Sequence, residues 1–151
     1  MARADKFTGE LKKIELYSDF PINFDRNPIT GLLAKVSNED SVKQSLKQLV
    51  LTNVGERFYD SNKGSRISGS LFEPASPTTL EIIRTQIKEC IGAYEPRCQL
   101  LEVNVQDIDP SSMPFGFTDL DKNSLMVDIV FSIINIPDRS FNLTFNVKRV
   151  R

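Results

Sequence analysis

Residues 76–105, SPTTLEIIRTQIKECIGAYEPRCQLLEVNV, predict a helix, an abrupt helix end and a strand in direct succession. Ser76 and Pro77 are typical of a helix N-terminus, because serine caps free backbone N–H groups and proline tolerates the first helical position. Apolar residues at helical spacing then predict a buried face made of Leu80, Ile83, Ile87, Cys90 and Ile91. Gly92 is predicted to lie just past the end of this helix.

The tripeptide Glu95-Pro96-Arg97 marks the change from helix to strand. Pro96 cannot continue a helix, and it biases Glu95 toward extended geometry. Because residues i and i+2 of an extended segment share one side, the Glu95 carboxylate and the Arg97 guanidinium are expected to project together. This geometry suits a docking site for a protein partner. A second interpretation is an exposed ion pair that contributes about 0–1 kcal/mol.

The second half of the chain predicts three strands. Apolar residues alternate with polar ones, or form a short run, in three places: Leu101, Val103 and Val105, then Leu125–Ile134, then Phe141, Leu143, Phe145 and Val147. Short connections favour antiparallel neighbours, and residues 107–123 contain too much proline and glycine for a crossover helix, so we expect a long hairpin loop there. Helices followed by strands predict an α+β fold, with two main amphipathic helices packed on a small, mainly antiparallel sheet.

The first half is less regular. A helix is expected to start at Ser37 or Asn38 and to end before Gly55, with an apolar stripe of Val42, Leu46, Leu49 and Val50. Residues 16–33 predict a short edge strand or an irregular wrapping segment, and residues 55–69 predict a surface loop. Residues 1–13 are expected to be a flexible, irregular N-terminal arm, and residues 14–151 a single domain.

Composition excludes several classes of function. Nineteen basic and twenty acidic residues give a net charge of −1, which argues against nucleic acid and membrane partners. The chain has no histidine, so Ser-His-Asp, Cys-His and histidine–metal chemistry are excluded. Cys90 and Cys98 have neither CxxC nor zinc spacing and are expected to be buried thiols rather than a disulfide. The acidic residues between 107 and 121 lack calcium-loop spacing, and we expect no metal and no cofactor.

Five short segments together resemble a known family: GER at 55–57, GSR at 64–66, LFEP at 71–74, the helix after Ser76, and YEPR at 94–97. The family is the small baseplate wedge subunit of contractile-tailed phages, which has relatives in the baseplates of type VI secretion systems. The resemblance covers roughly residues 14 to 150.

The resemblance implies a non-enzymatic structural protein of the virion tail baseplate, assembled in the host cytoplasm. Its implied partners are the larger wedge proteins, whose helical core bundle would bind Glu95, Pro96 and Arg97, and the tail sheath protein. The sheath would assemble by adding a strand to an open sheet edge. The candidate edge strand comprises Phe141, Asn142, Leu143, Thr144, Phe145, Asn146, Val147 and Lys148. Its outward row Asn142, Thr144, Asn146 and Lys148 is polar enough to protect an edge before assembly.

The alternative function is a peptidoglycan-cleaving, lysozyme-like enzyme, because the family has also carried that label. Glycoside hydrolysis needs two carboxylates, one of them with a raised pKa, and the candidate acids are Glu56, Glu73 and Glu95. The guanidinium of Arg97 is expected to lower the pKa of Glu95, which is the opposite of what a general acid requires. The sequence therefore favours the structural function.

Overall fold

The computed structural model describes residues 15–74, 76–107 and 124–148. The predicted N-terminal arm, residues 1–13, lies outside the described residues, as do residues 108–123 of the predicted hairpin loop. The chain divides into two compact units, Met1–Ser41 and Val42–Arg151. The expectation that residues 14–151 act as one domain stays a prediction.

The described residues form eight helices and strands. In chain order they are β1 (Ser18–Asp19), β2 (Val36–Ser37), α1 (Glu39–Leu51), α2 (Ile67–Ser70), α3 (Pro77–Tyr94), β3 (Cys98–Asp107), β4 (Ser124–Ile133) and β5 (Ile136–Lys148). β1 and β2 form one antiparallel pair, and β3, β4 and β5 form an antiparallel sheet in that order. The predicted α+β class and the mainly antiparallel sheet are thus confirmed.

The first unit is irregular apart from the short β1–β2 pair. A tight reversal brings the backbone N–H of Asn27 to the carbonyl of Leu32, at 2.8 Å. Asn38 has a positive φ of 51°, and its side-chain oxygen accepts hydrogen bonds from the backbone N–H groups of Leu16 and Tyr17. Asn38 therefore anchors the segment that precedes the helix, and the prediction of an irregular segment is confirmed.

The core of the second unit lies between the helices and one face of the sheet. The predicted apolar stripe of α1 is buried, and so are Ile83, Ile87, Cys90 and Ile91 of α3. The sheet contributes Val103, Val105, Leu125, Val127, Ile129, Phe131, Ile133, Phe145 and Val147. β4 supplies most of these residues because it is the central strand.

Four local predictions are wrong, and each has a physical reason. Gly92 lies inside α3, because the helix continues to Tyr94 and stops where Pro96 restricts Glu95. Leu101 is 55% exposed, since a β-bulge between Leu100 and Glu102 shifts it out of the alternating pattern.

The other two wrong predictions concern the ends of predicted segments. The predicted loop 55–69 ends in the short helix α2, whose Ile67 is buried. Leu80 is only partly buried, and Thr79 takes the buried position at the start of α3. The predicted start of α3 is confirmed, because Ser76 Oγ accepts a hydrogen bond from the backbone N–H of Thr79 and Pro77 is the first helical residue.

The loop between α1 and α2 passes very close to the end of α1. Gly64 has a φ of +149°, and a Cβ added there would lie 2.7 Å from the carbonyl oxygen of Thr52. The next residue, Ser65, donates its backbone N–H to that same oxygen at 2.8 Å. Only glycine allows this approach, because any side chain would push the two backbones apart.

We expect Gly64→Ala to lower the free energy of unfolding by about 2 kcal/mol or more, because it adds both a clash and an unfavourable φ. The matched control is Gly92→Ala in α3, where an added Cβ meets no atom within 4 Å. That change should raise stability by up to about 1 kcal/mol, since alanine favours a helix. Urea denaturation measures both, and equal effects would contradict the assignment of the close contact at Gly64.

Candidate functional site: the Glu95–Arg97 junction and the last strand

The junction between α3 and β3 is a turn made by Pro96 and Arg97. Glu95 ends the helix with φ −124° and ψ 81°, outside helical geometry, as expected for the residue before a proline. Its backbone N–H still donates to the carbonyl of Ile91 at 3.0 Å. The helix thus keeps its last hydrogen bond and then turns directly into the sheet.

Glu95 and Arg97 form a forked ion pair. Arg97 Nε donates to Glu95 Oε1 at 2.6 Å, and Arg97 Nη2 donates to Glu95 Oε2 at 2.8 Å. The predicted meeting of the two side chains is confirmed, but the pair is not the exposed one of the second interpretation. Glu95 is only 5% exposed, whereas the Arg97 side chain is 29% exposed, so the carboxylate faces the protein and the guanidinium lies near the surface.

A third residue completes the pair from the other long helix. Ser45 of α1 donates its hydroxyl to Glu95 Oε2 at 2.6 Å, across fifty residues of sequence. Ser45 is not among the site residues predicted from the sequence. The available signal was its position between Val42 and Leu46 on the buried stripe of α1, where a polar side chain needs a hydrogen-bond partner.

The junction also contacts the turn between β4 and β5, at the same end of the sheet. The backbone N–H of Ile134, in the turn between β4 and β5, donates to the carbonyl of Arg97 at 3.1 Å. The Cys98 thiol donates to the carbonyl of Glu95 at 3.7 Å. Four elements therefore meet at one short segment: α1, α3, β3 and the β4–β5 turn.

The electrostatics of the junction keep Glu95 ionised. Burial raises the pKa of Glu95, but the hydrogen bonds from Arg97 and Ser45, together with the charge of Arg97, lower it by more. The net pKa lies below the ordinary value of 4.5. Chemically, Glu95 can accept hydrogen bonds at neutral pH but has no proton to donate.

The two cysteines confirm the prediction of buried thiols. Both are free and buried, and burial raises the pKa of Cys90 and of Cys98 to about 11. Both thiols are therefore protonated at neutral pH, and neither is a nucleophile. Within residues 15–74, 76–107 and 124–148, no group of three potential metal ligands is found.

β5 is an edge strand of the three-stranded sheet as far as the described residues extend. Its side chains alternate as predicted: Asn142, Thr144, Asn146 and Lys148 are exposed, while Phe145 and Val147 are buried. Phe141 and Leu143 are partly buried, and the Phe141 ring packs 5.9 Å from that of Phe131. Thr144 donates its hydroxyl to Asp128 on β4 at 2.6 Å, which fixes one member of the outward row.

The structure places the predicted site residues in two groups along the sheet. Cys98, which follows the junction, pairs with Ile133 at one end of β4, whereas Lys148 pairs with Ser124 at the other end. The strand from Phe141 to Lys148 spans roughly 23 Å at the usual rise per residue. The junction therefore lies at one end of the sheet, and the outward row of β5 runs away from it.

The other candidate acids are not arranged for acid catalysis. Both oxygens of Glu56 accept hydrogen bonds from Asn53, one from the backbone N–H and one from the side-chain amide, each at 2.8 Å. Both hydrogen bonds lower the pKa of Glu56, and the bond from the backbone N–H has the larger effect. Glu73 is exposed in the loop after α2.

None of the helices described is long and apolar enough to span a bilayer.

Comparison with known proteins gives a consistent set of matches. A family model described as baseplate wedge protein gp25 matches residues 36–137. The baseplate wedge protein gp25 of Enterobacteria phage T4 is 34% identical over 98 residues, which are 65% of this chain and 66% of that protein. The chain thus matches just under two thirds of the length of this relative.

Two solved structures share the fold. A chain in the cryo-EM structure of the anti-feeding prophage baseplate is 25% identical, with a TM-score of 0.61 over 81% of this chain and 89% of that chain. A candidate tail lysozyme from Geobacter sulfurreducens is 24% identical, with a TM-score of 0.63 over 75% of this chain and 92% of that chain. The second match is a likeness of fold alone.

We expect Glu95→Gln to lower the free energy of unfolding at pH 7 by about 2 kcal/mol, because it removes a charged acceptor of three hydrogen bonds. Folding lowers the pKa of Glu95, so its contribution is complete above pH 4.5 and is lost as the pH falls through the folded-state value. The difference in stability between wild type and variant should therefore shrink below pH 4.5. Urea denaturation across this pH range measures it.

The control for this prediction is Glu81→Gln, which breaks an ion pair with Arg84 on α3 in which the Glu81 side chain is 61% exposed. It should change stability by less than about 0.5 kcal/mol, since surface pairs contribute little. Similar effects of the two substitutions, or a difference that persists at low pH, would contradict the role given to Glu95.

Proposed function

The chain belongs to the family of the baseplate wedge protein gp25, and we propose that it acts as a structural, non-enzymatic link between the larger wedge proteins and the tail sheath. Membership of this family makes it a baseplate wedge protein located in the tail baseplate. The observation that supports the finer function best is the forked Glu95–Arg97 pair, held between α1 and α3 beside the surface.

The first part of the proposal is that the junction binds the helical core bundle of the larger wedge proteins. Pro96 is exposed and part of the Arg97 side chain reaches the surface, while Glu95, which is itself hydrogen-bonded to Ser45, holds the guanidinium in place. A partner that contacts this surface does not need to order it, so less entropy is lost on binding. A positioned arginine at the centre of an interface is a common hot spot.

The second part is that the outward edge of β5 receives a strand of the sheath protein. An edge strand has unpaired backbone groups that a partner strand can bind, and the alternating side chains set the register. The polar row of β5 is exposed, and such a row limits pairing with wrong partners before assembly. The first sheath ring would then continue the sheet of this protein.

The non-enzymatic part of the proposal rests on the acids. A glycosidase acid must hold a proton near neutral pH, which requires a raised pKa. The pKa values of Glu95 and Glu56 are both lowered, and all four of their carboxylate oxygens accept hydrogen bonds. The likeness to the candidate tail lysozyme supports a shared fold and gives no catalytic residues.

To test the junction, we propose the double substitution Glu95→Gln/Arg97→Met. Replacing Arg97 alone would leave the Glu95 carboxylate buried without its charged partner and destabilise the domain, whereas the double change removes both charges. The variant should stay folded by circular dichroism, yet its incorporation into wedges reconstituted from purified larger wedge proteins should fall by about tenfold or more.

The control for the junction test is Glu81→Gln/Arg84→Met, which removes an ion pair within α3, away from the junction. This variant should incorporate like the wild type. If the junction variant is folded and also incorporates normally, the junction is not the docking site.

To test strand addition, we compare Leu143→Pro with Thr144→Pro. Consecutive N–H groups of a strand point to opposite edges, so one proline removes a donor from the β4–β5 ladder and the other removes a donor from the open edge. The variant that loses the ladder donor should lose stability. The variant that loses the open-edge donor should stay folded, but sheath polymerisation on baseplates that contain it should fail. Normal sheath growth on the folded variant would exclude β5 as the receiving edge.

A further inference from the structure

Two consecutive aromatic residues lie fully in solvent. Phe58 is 98% exposed and Tyr59 is 104% exposed relative to a free side chain. They lie on the segment from Thr52 to Arg66 between α1 and α2, here called the 52–66 loop. Neither the junction nor the edge of β5 accounts for them. A phenylalanine left in water forgoes roughly 1.5–3 kcal/mol of burial, so the fold gains nothing from this placement.

The 52–66 loop is held firmly, and its exposed tip is therefore not a sign of a loose chain. Within the loop, the backbone N–H of Gly55 donates to the carbonyl of Ser61 at 2.8 Å, and that of Val54 donates to Ser65 at 3.1 Å. The Glu56 carboxylate binds Asn53 through both oxygens. These bonds fix the backbone on either side of the aromatic pair.

The loop is also tied to both long helices. Tyr94 of α3 donates its hydroxyl to the carbonyl of Asn62 at 2.7 Å, and the Cys90 thiol donates to the carbonyl of Gly64 at 3.1 Å. Ser65 donates its hydroxyl to the carbonyl of Val50 in α1 at 2.6 Å. The aromatic pair thus projects from a preorganised platform, which lowers the entropy lost when a partner binds.

The charges around the aromatic pair indicate the chemistry of the partner. Arg57 directly precedes it, and the loop carries three basic residues, Arg57, Lys63 and Arg66, against two acids, Glu56 and Asp60, which gives a net charge of +1. Aromatic residues and arginine are enriched at interface hot spots, and a cationic rim is complementary to carboxylates.

We propose that the 52–66 loop is a third protein-binding surface, which inserts Phe58 and Tyr59 into an apolar pocket rimmed by acidic side chains on a larger wedge protein. Arg57 forms an ion pair at the rim of this pocket. The surface depends on family membership, and not on the roles proposed above for the junction or for β5.

The first experiment measures binding to a purified wedge complex prepared without this chain. Phe58→Ser/Tyr59→Ser should weaken binding by about tenfold or more, while stability is unchanged because both side chains are already exposed. The matched control is Phe72→Ser, at a residue that is 75% exposed in the loop after α2, which should bind like the wild type. Wild-type affinity of the double variant, or an equal loss in the control, overturns the proposal.

Arg57→Glu tests the charge part of the proposal. It should weaken binding to the wedge complex by about tenfold or more at low salt, and the loss should diminish as salt screens the charges. A loss that is independent of salt, or no loss, overturns the acidic rim. If the loop substitutions leave binding unchanged while Glu95→Gln/Arg97→Met weakens it, the loop surface is refuted and the junction proposal stands.

The second experiment identifies the partner surface directly. A photoreactive benzoylphenylalanine at position 59 should crosslink, in reconstituted wedges, to a segment of a larger wedge protein with aspartate or glutamate beside apolar residues. The same group at position 72 is the control and should give much lower yield. Crosslinks to a second copy of this chain, to a segment without acidic residues, or in equal yield from both positions overturn the proposal.

Discussion

The buried carboxylate of Glu95 imposes the constraint on which the second unit depends. A charge that is only 5% exposed requires a charged partner and further hydrogen bonds, because burying it alone would cost several kcal/mol. Arg97 supplies the charge and Ser45 supplies the third hydrogen bond. These three groups meet only when α1, the end of α3 and the start of β3 lie together, so the pair specifies the arrangement of these elements more than it adds net stability.

Pro96 makes this arrangement possible. It ends α3 within one residue, so β3 starts at Cys98 while the Arg97 carbonyl still meets the N–H of Ile134 at the β4–β5 turn. α3 packs against β3, and β4 is the central strand with its apolar side chains buried. The strand farthest from this packing is β5, whose exposed polar row follows from its place in the strand order.

Local signals predicted the elements, but not the contacts between them. Ser76-Pro77 marked the start of α3 because capping is decided within four residues, and alternation in β5 gave its faces because a strand has a period of two. The bulge at Leu101 was not predictable, since it depends on pairing with β4. Neither was the hydrogen-bond partner of Ser45, which lies fifty residues away. The burial of Glu95 was not predictable for the same reason, because spacing shows that two side chains meet but not which one faces the core.

The protonation states of the described site groups suit the structural, protein-binding function that we propose. The chain contains no histidine, Glu95 and Glu56 have lowered pKa values, and the thiols of Cys90 and Cys98 titrate near pH 11. None of these groups changes charge across the neutral range, so the junction and the base of the 52–66 loop keep the same hydrogen bonds throughout. Acid–base catalysis needs groups that exchange protons there, whereas a docking surface benefits from groups that do not. The same bonds that remove Glu95 and Glu56 from catalysis therefore fix the two surfaces that we propose for binding.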